Sequence, residues 1–408
     1  MMLGDLITAM EIAIADIDHR SEKRVQILHH NDADGLCSGA ILTRAFERKD
    51  FEVTRVCLEK PYPTVLEAVF RSKEELIVLT DFGGRIAPLI SDLNRGCNLV
   101  LILDHHKAER PTDHRVHLLD PEVFGLRGDR DITASTTCYV FAYTFDPANR
   151  DLAYLATIGA VGDRFFVDGR LAGPNRDAAF DTRNQGMLEI EETPKGERYI
   201  LLTSGGPVEC SAFARNLDTL GGAGYHSGGP EMGIRVCLDG MSPEIKGVLG
   251  ELRVVQERNF SAEIERIRQG GWNETDHIQW LHVHDRFEPM GVKMIGAFLD
   301  AVRNSDIVNP DRYLAGFQTV PDEIPGIGAF DFGQVKISMR VSDSMEEGIR
   351  SGKILGLDIL LPEATARVGG FSDACHSLTA ATTVAVGREV ELIEEIEKVL
   401  MTRAQKTR

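Results

Sequence analysis

At 408 residues the chain is long enough for two domains or three, each with its own core. Its composition, 43% hydrophobic and 26% charged, is that of an ordinary soluble globular protein, and no run reaches the roughly eighteen apolar residues of a membrane span. The formal net charge of −18 argues against extended, nonspecific tracking of a nucleic-acid backbone, although a local basic groove is compatible with it. The seven cysteines (37, 57, 97, 138, 210, 237, 375) include no Cys-x-x-Cys pair and predict reduced, mostly buried thiols rather than a disulfide framework or a zinc site. Residues 1–16, with Asp5 and Glu11 among them, make a poor signal peptide.

The chain opens on LITAMEIAIADIDH, whose apolar spacing predicts a helix packed on a sheet edge. The stretch VQILHHNDADGLCSGAIL (25–42) then passes from an apolar strand through His30, Asp32 and Asp34 to Gly35 and a second helix. That order sets acidic side chains at the carboxyl edge of a parallel sheet, where α/β proteins keep their chemistry. Two carboxylates so close repel unless a cation sits between them, so the turn either caps the helix or holds a divalent ion. FEVTRVCL and TVLEAVFRS predict a strand and a short helix, and ELIVLTDFGG is a β-branched run that stops on Asp81. A helix over 86–94 leads to NLVLILD, which runs into Asp104, His105 and His106. This alternation predicts a doubly wound, mostly parallel sheet. The helix-like DLAYLATIGAVGDRF adds Asp163. A lone carboxylate at a strand end usually caps a helix, but here several independent strand ends deliver acids and imidazoles to one edge. Carboxylates with imidazole suit Mn²⁺ or another borderline divalent ion, and a pair of such ions suits in-line displacement at phosphorus.

Residues 167 to about 290 carry less signal. GRLAGPNRDAAFDTRNQG reads as loop, and TSGGPVECSAF and LGGAGYHSGGPEMG are glycine-rich without matching a phosphate-binding P-loop. His226 reads as a surface loop histidine, with a ligand or substrate contact as the alternative. MSPEIKGVLGELRVVQERNFSAEIERIRQGG predicts a long charged helix between domains. From about Ile278 a second alternating pattern runs through WLHVH, a helix near 290–303 and YLAGFQTV. VKISMRVSD (335–343) alternates as a strand and puts Ser338 and Arg340 on one face. ARVGGFSDACHSLTAATTVAVG (366–387) then joins Gly369, Gly370 and His376 ahead of the closing helix EVELIEEIEKVLMTR. An arginine with a glycine loop and a histidine can grip a phosphate or carboxylate; a surface arginine on an edge strand and a buried turn histidine are the structural alternatives.

DADG at 32–35, Asp81 in DFGG, DHHK at 104–107 and Asp163 resemble, in order, the four motifs of the DHH phosphoesterases. That family includes RecJ-type exonucleases, nanoRNases, cyclic-dinucleotide phosphodiesterases and family II inorganic pyrophosphatases. The resemblance covers roughly residues 24–166. It implies that Asp32 and Asp81, with His30, bind one metal, and that Asp34, Asp81, His105 and Asp163 bind a second, Asp81 bridging the two. It implies also that His106 faces the scissile phosphate as an electrostatic stabiliser or proton donor, and that Asp104 orients a histidine. One departure concerns the first-site histidine, which in several branches stands four residues before the first Asp of this turn. Leu28 occupies that place here, His30 stands two before, and His29 is a spare. The Ser-x-Arg strand and the Gly-Gly loop with a downstream histidine resemble the substrate-binding domain that accompanies DHH domains in RecJ-like proteins and nanoRNases. Carried over, Ser338, Arg340, Gly369, Gly370 and His376 would hold a substrate phosphate or terminal nucleotide. Phe371 follows the glycines where a histidine is common, and His376 comes five residues later. The same motif argues against a family II pyrophosphatase.

The expected fold is therefore α/β. A doubly wound, mostly parallel sheet over 1–170 is followed by an insertion or linker with a long helix over 171–275, and by a smaller C-terminal α/β domain with a mixed sheet over 276–408. The expected activity is that of a manganese-dependent phosphoesterase with two ions, Mg²⁺ or Co²⁺ being alternatives, acting on phosphodiester bonds of single-stranded or short oligonucleotides. A nucleoside bisphosphate, dinucleotide or cyclic dinucleotide is the alternative substrate within that chemistry, and the acidic charge favours it. A noncatalytic replication scaffold is the alternative outside it. Expected partners are a nucleic acid or small nucleotide, a second copy of the chain and a replication or repair protein, with no membrane, and the expected compartment is the cytoplasm.

Overall fold

The computed structural model describes residues 2–406 apart from 72, 74 and 204. The chain divides into two compact units, residues up to 249 with 325–327, and residues 250–324 with 328 onward. Among the described residues no helix is long and apolar enough to cross a membrane.

In the first unit α1 (Met2–Asp18) precedes five parallel strands: β1 (Arg24–His30), β2 (Glu52–Leu58), β3 (Leu76–Thr80), β4 (Leu99–Leu103) and β5 (Val116–Leu118). Their order is β2-β1-β3-β4-β5, the open parallel sheet expected from the sequence. β3 and β4 are buried at every position, which their unbroken apolar sequences LIVLT and LVLIL require of parallel strands covered on both faces. The crossovers are α2 (Ala33–Glu47), α3 (Pro63–Val69) and α4 (Ala87–Asn94). α2 starts immediately after β1, and Gly35 permits that tight turn: a Cβ there would stand 2.6 Å from the His30 carbonyl oxygen.

After β5 come α5 (Ala134–Phe145) and α6 (Ala153–Gly162), then the short strand pair β6 (Phe166–Val167) and β7 (Arg170–Leu171). The segment GPNRDAAFDTRN, expected as loop, folds as α7 (Gly173–Asn184). Pro174 is tolerated in a first turn, and the buried positions 174, 175, 178, 179 and 182 form a stripe too narrow and polar to stand out in the sequence. An antiparallel sheet follows, β8 (Leu188–Thr193), β9 (Gly196–Thr203) and β10 (Gly206–Glu209). Then come α8 (Cys210–Asp218), a π-helical turn over 219–223, α9 (Gly229–Asp239) and the expected long helix α10 (Pro243–Gly270). The glycine-rich 221–229 stretch is this π turn and the entry to α9, and Tyr225 beside His226 is anchored by its hydroxyl on the Cys57 carbonyl at 2.9 Å.

The second unit is built on a mixed sheet, as expected. Its strands are β11 (Asn273–Glu274), β12 (Ile278–His282), β13 (Tyr313–Thr319), β16 (Gln334–Arg340), β17 (Phe371–Cys375) and β18 (Thr379–Ala385), in the order β11-β12-β13-β16-β18-β17. Among the described residues β12 and β13 run parallel and the other neighbouring pairs of this sheet antiparallel. The intervening β14 (Glu323–Ile324) and β15 (Gly328–Ala329) form a small ribbon. Phe317, Val335, Ile337 and Met339 bury one sheet face with α13 (Leu357–Arg367) and α14 (Glu389–Lys406), while α11 (Met294–Val302) packs on the face that carries Gly316. α12 (Asp343–Arg350) caps the end of β16.

Candidate metal centre

The carboxyl ends of β1, β3 and β4 carry the acids and imidazoles. His30 ends β1, and its Nδ1 lies 2.8 Å from Asp32 Oδ2 and 3.3 Å from Asp81 Oδ2. Asp32 also caps α2 by accepting from the Gly35 N–H at 2.9 Å, so one oxygen serves the helix while the other faces His30. Asp81 follows β3 in the left-handed backbone region, at φ 64°, which Asp tolerates better than most residues. That kink lets its second oxygen, Oδ1, stand 3.3 Å from His105 Nε2, which is in turn 3.6 Å from Asp163 Oδ2. Ligand atoms of His30, Asp32 and Asp81 converge within 4.8 Å of one another, as do those of Asp34, His105 and Asp163.

Two of the imidazoles, His105 and His106, have a ring nitrogen anchored by a hydrogen bond. The His105 Nδ1–H donates to the Gly128 carbonyl at 2.6 Å, which orients the ring with Nε2 facing Asp81 and Asp163. His106 donates from Nδ1 to Asp104 Oδ1 at 2.7 Å, and Asp104 also accepts from the His105 N–H at 2.8 Å and the Gly84 N–H at 2.9 Å. Burial pushes the Asp104 carboxyl up, but the His106 charge and hydrogen bond outweigh it and hold the group well below the usual carboxylate range.

The remaining acids feel each other strongly. Asp34 is pushed up to about 7 by burial and then by the Asp81 charge, with His105 pulling the other way. Asp163 is pushed well above its ordinary value by burial and by Asp34. His105 is raised well above its ordinary value because Asp81, Asp163 and Asp34 together overcome the opposing effect of burial. Four acids, Asp32, Asp34, Asp81 and Asp163, face two imidazoles, His30 and His105, a surplus of negative charge that a divalent cation would offset.

Residues 24–160 match the model of the DHH family, N-terminal domain. This stretch is a DHH-family domain. An uncharacterized protein of Methanocaldococcus jannaschii is 32% identical over 174 residues, 41% of this chain and 38% of that protein, so the chain spans well under half of that relative's length. Among solved structures, the DHH domain of a member of the s1p family of ribosomal proteins superposes with a TM-score of 0.62 at 15% identity, covering 97% of this chain and 91% of that one. RecJ from Thermus thermophilus in complex with Mn²⁺ gives a TM-score of 0.59 at 15% identity, over 97% of this chain and 55% of that chain. CDC45 from Entamoeba histolytica gives 0.57 at 10% identity over 98% of each chain. These likenesses extend the shared fold beyond the DHH domain and through the second unit.

In the first unit the structure brings together His30, Asp32, Asp34, Asp81, Asp104, His105, His106 and Asp163, the eight residues expected to converge. The spare His29 is excluded; its buried ring packs on Gly39, its Nδ1 bonds the His30 carbonyl, and burial pushes it down to about 4. In the second unit Ser338 and Arg340 share a face of β16, as expected, and Gly296 of α11 leaves room for both: a Cβ there would stand 2.7 Å from Arg340 Nη2. Arg340 donates from Nε to Asp300 at 2.9 Å. The His376 N–H donates to the Thr379 carbonyl in the turn between β17 and β18, and Thr379 pairs with Arg340, so those two residues lie at one end of the sheet. The double glycine does not join them. Gly369, at φ 68°, turns the chain out of α13, and Gly370 lies under the Thr383 carbonyl, where a Cβ would stand 2.5 Å away. Thr383 is four residues along β18 from Thr379, about 13 Å in an extended strand. The glycines expected in a phosphate grip are therefore a helix exit and a close packing point.

Sequence reasoning missed the residues that hold the ligands in place: Gly128 behind His105, Asp218, whose Oδ1 accepts from the Ala33 N–H at 3.0 Å, and Ser135 beside Asp34. Gly221 also accepts from Asn31 Nδ2 at 2.9 Å, so the glycine-rich π turn clasps the β1 turn. The TAST run at 133–136 announces the start of α5, capped by Thr133, but not the contact of Ser135 with Asp34.

Proposed function

We propose that this chain is a metal-dependent phosphoesterase that hydrolyses phosphodiester bonds of single-stranded or very short nucleic acids. The observation that carries the reading is Asp81, whose two oxygens each stand 3.3 Å from an imidazole of a different ligand group. That is the placement a bridging carboxylate needs. In this reading His30, Asp32 and Asp81 hold one divalent ion and Asp34, Asp81, His105 and Asp163 the other, Mn²⁺ fitting their mixed oxygen and nitrogen donors. Such a pair supplies, when bound, an activated water and stabilisation of charge on the phosphoryl oxygens.

The chain's own residues do the rest. Asp104 anchors His106 by Nδ1 and would present its Nε2 to a phosphoryl or leaving oxygen, where the protonated ring can stabilise charge or donate a proton. Gly128 fixes the tautomer of His105. In the second unit Arg340, with Ser338 and His376 nearby on the same sheet end, would bind a substrate phosphate, its planar guanidinium offering a two-pronged grip. The net charge of −18 favours short substrates over long ones, and a dinucleotide or nucleoside bisphosphate is the second reading on that ground. A noncatalytic scaffold would not need all eight acids and imidazoles, and all eight are present. The test is hydrolysis, with Mn²⁺ and then with chelator, of single-stranded DNA and RNA from two to about twenty nucleotides beside a nucleoside bisphosphate. Chelator-sensitive cleavage of oligomers supports the reading; turnover of the bisphosphate alone favours the second; no turnover of any substrate overturns both.

A further inference from the structure

The Asp34 carboxylate is gripped by a helix other than its own. It stands in the first turn of α2 and reaches the N-terminus of α5, where Oδ2 accepts from the Ala134 N–H at 2.8 Å and Oδ1 from the Ser135 N–H at 3.2 Å. The Ser135 hydroxyl donates to Oδ1 in a short hydrogen bond. Ser135 is fully buried, and Thr133 Oγ1, 3.2 Å away, can donate to its hydroxyl oxygen in turn. Thr133 is itself held through its N–H by Asn175 Oδ1 of α7 at 3.0 Å. The remaining wall is Gly159 of α6, where a Cβ would stand 2.1 Å from Ser135 Oγ and 2.4 Å from Asp34 Oδ1. α6 can pass this close only because residue 159 has no side chain.

A carboxylate at a helix N-terminus is by itself a cap, and the two backbone donors suffice for one. The hydroxyl is the addition a cap does not need. It adds a third, side-chain donor, and it does so on the oxygen that also faces the bare backbone of Gly159. We propose that Ser135 is a positioning residue for the metal centre, holding the Asp34 carboxylate in place beside His105 and Asp163, with Gly159 as the clearance that permits it. The inference rests on the metal-centre reading above and adds to it a residue outside the four DHH motifs. In this reading Ser135 acts through Asp34.

The experiment is a Mn²⁺ titration of the full chain, read as free Mn²⁺ by electron paramagnetic resonance, with metal-free melting measured alongside. Ser135→Ala removes only the hydroxyl, since both backbone donors remain. The expected result is two Mn²⁺ equilibria in the parent, of which one weakens by about 10–100-fold in the variant while the other stays within about twofold. Ser135→Cys keeps the shape with a weaker donor and should fall between the two. A purely structural role would lower the melting temperature and leave both equilibria at parental values, and that result overturns the proposal. If Ser135→Ala does not fold, Ser135→Cys decides on the same criterion. A parent that binds no Mn²⁺ would overturn the metal reading itself, an outcome distinct from a parent with two sites whose variant matches it.

Discussion

Replacing Asp81 by Asn is the sharpest perturbation of the bridging reading. Asn occupies the left-handed region about as readily as Asp, so the φ of 64° and the fold survive, whereas Ala there would add about 1 kcal/mol of backbone cost. The substitution keeps the shape and removes one unit of negative charge that both ligand groups share. At an effective dielectric of about 20, a unit charge pair at about 4 Å is worth about 4 kcal/mol, and a divalent partner doubles it. The Asn carbonyl recovers part, which leaves a net loss of about 4 kcal/mol, or about 10³-fold in Mn²⁺ affinity. The assay is steady-state hydrolysis of a short oligonucleotide at the lowest Mn²⁺ concentration that saturates the parent, with circular dichroism and melting to establish that the variant folds. A folded Asp81→Asn chain with turnover within about tenfold of the parent would refute the bridging role.

Four other outcomes follow from the geometry. His106→Gln should lower turnover by about 10²–10⁴-fold while leaving Mn²⁺ affinity at the parental value, because the ring is held by Asp104 and is assigned to the phosphate; a parallel loss of Mn²⁺ binding in the titration contradicts that assignment. Gly128→Ala would force a Cβ to within 1.6 Å of the His105 carbonyl oxygen, and should destabilise the chain by about 3 kcal/mol or more in a denaturant melt. Arg340→Gln should raise KM by about tenfold or more with kcat little changed, since the guanidinium is assigned to binding; a fall confined to kcat counts against it. Arg176 donates to both oxygens of Glu197 at 2.8 and 2.7 Å, and these bonds hold the Glu197 carboxyl below its ordinary value. A group lowered in the folded state stabilises it above the unfolded value and loses that contribution as pH falls through the folded one. Arg176→Ala should therefore cost about 1–2 kcal/mol at pH 7, and the gap to the parent should close below about pH 4 in parallel melts.

What the sequence conveyed depended on how local each cause was. The parallel sheet was legible because β3 and β4 are continuous apolar runs, and because an acid at the end of each such run has few other reasons to be there. The metal candidates were legible for the same reason: each stands within a few residues of a strand or helix end that declares itself. α7 was not, because its buried stripe is made of Pro174, Asn175, two alanines and Thr182, and its burial is set by partners distant in the chain. Ser135 and Gly128 were hidden for a related reason. Ser135 reaches Asp34 across 101 residues and Gly128 reaches His105 across 23, so nothing in their own neighbourhoods reports the contact. The double glycine misled in the opposite direction. Gly369–Gly370 has the composition of a phosphate loop, but the helix exit at φ 68° and the strand packed above Gly370 account for both residues.

The central claim is that two divalent ions share Asp81, and diffraction from a crystal grown with Mn²⁺ and measured at the manganese absorption edge tests it most directly. The account predicts two anomalous peaks, one among His30, Asp32 and Asp81 and the other among Asp34, Asp81, His105 and Asp163, with one Asp81 oxygen directed at each. A single peak, or peaks that Asp81 does not touch, would contradict it.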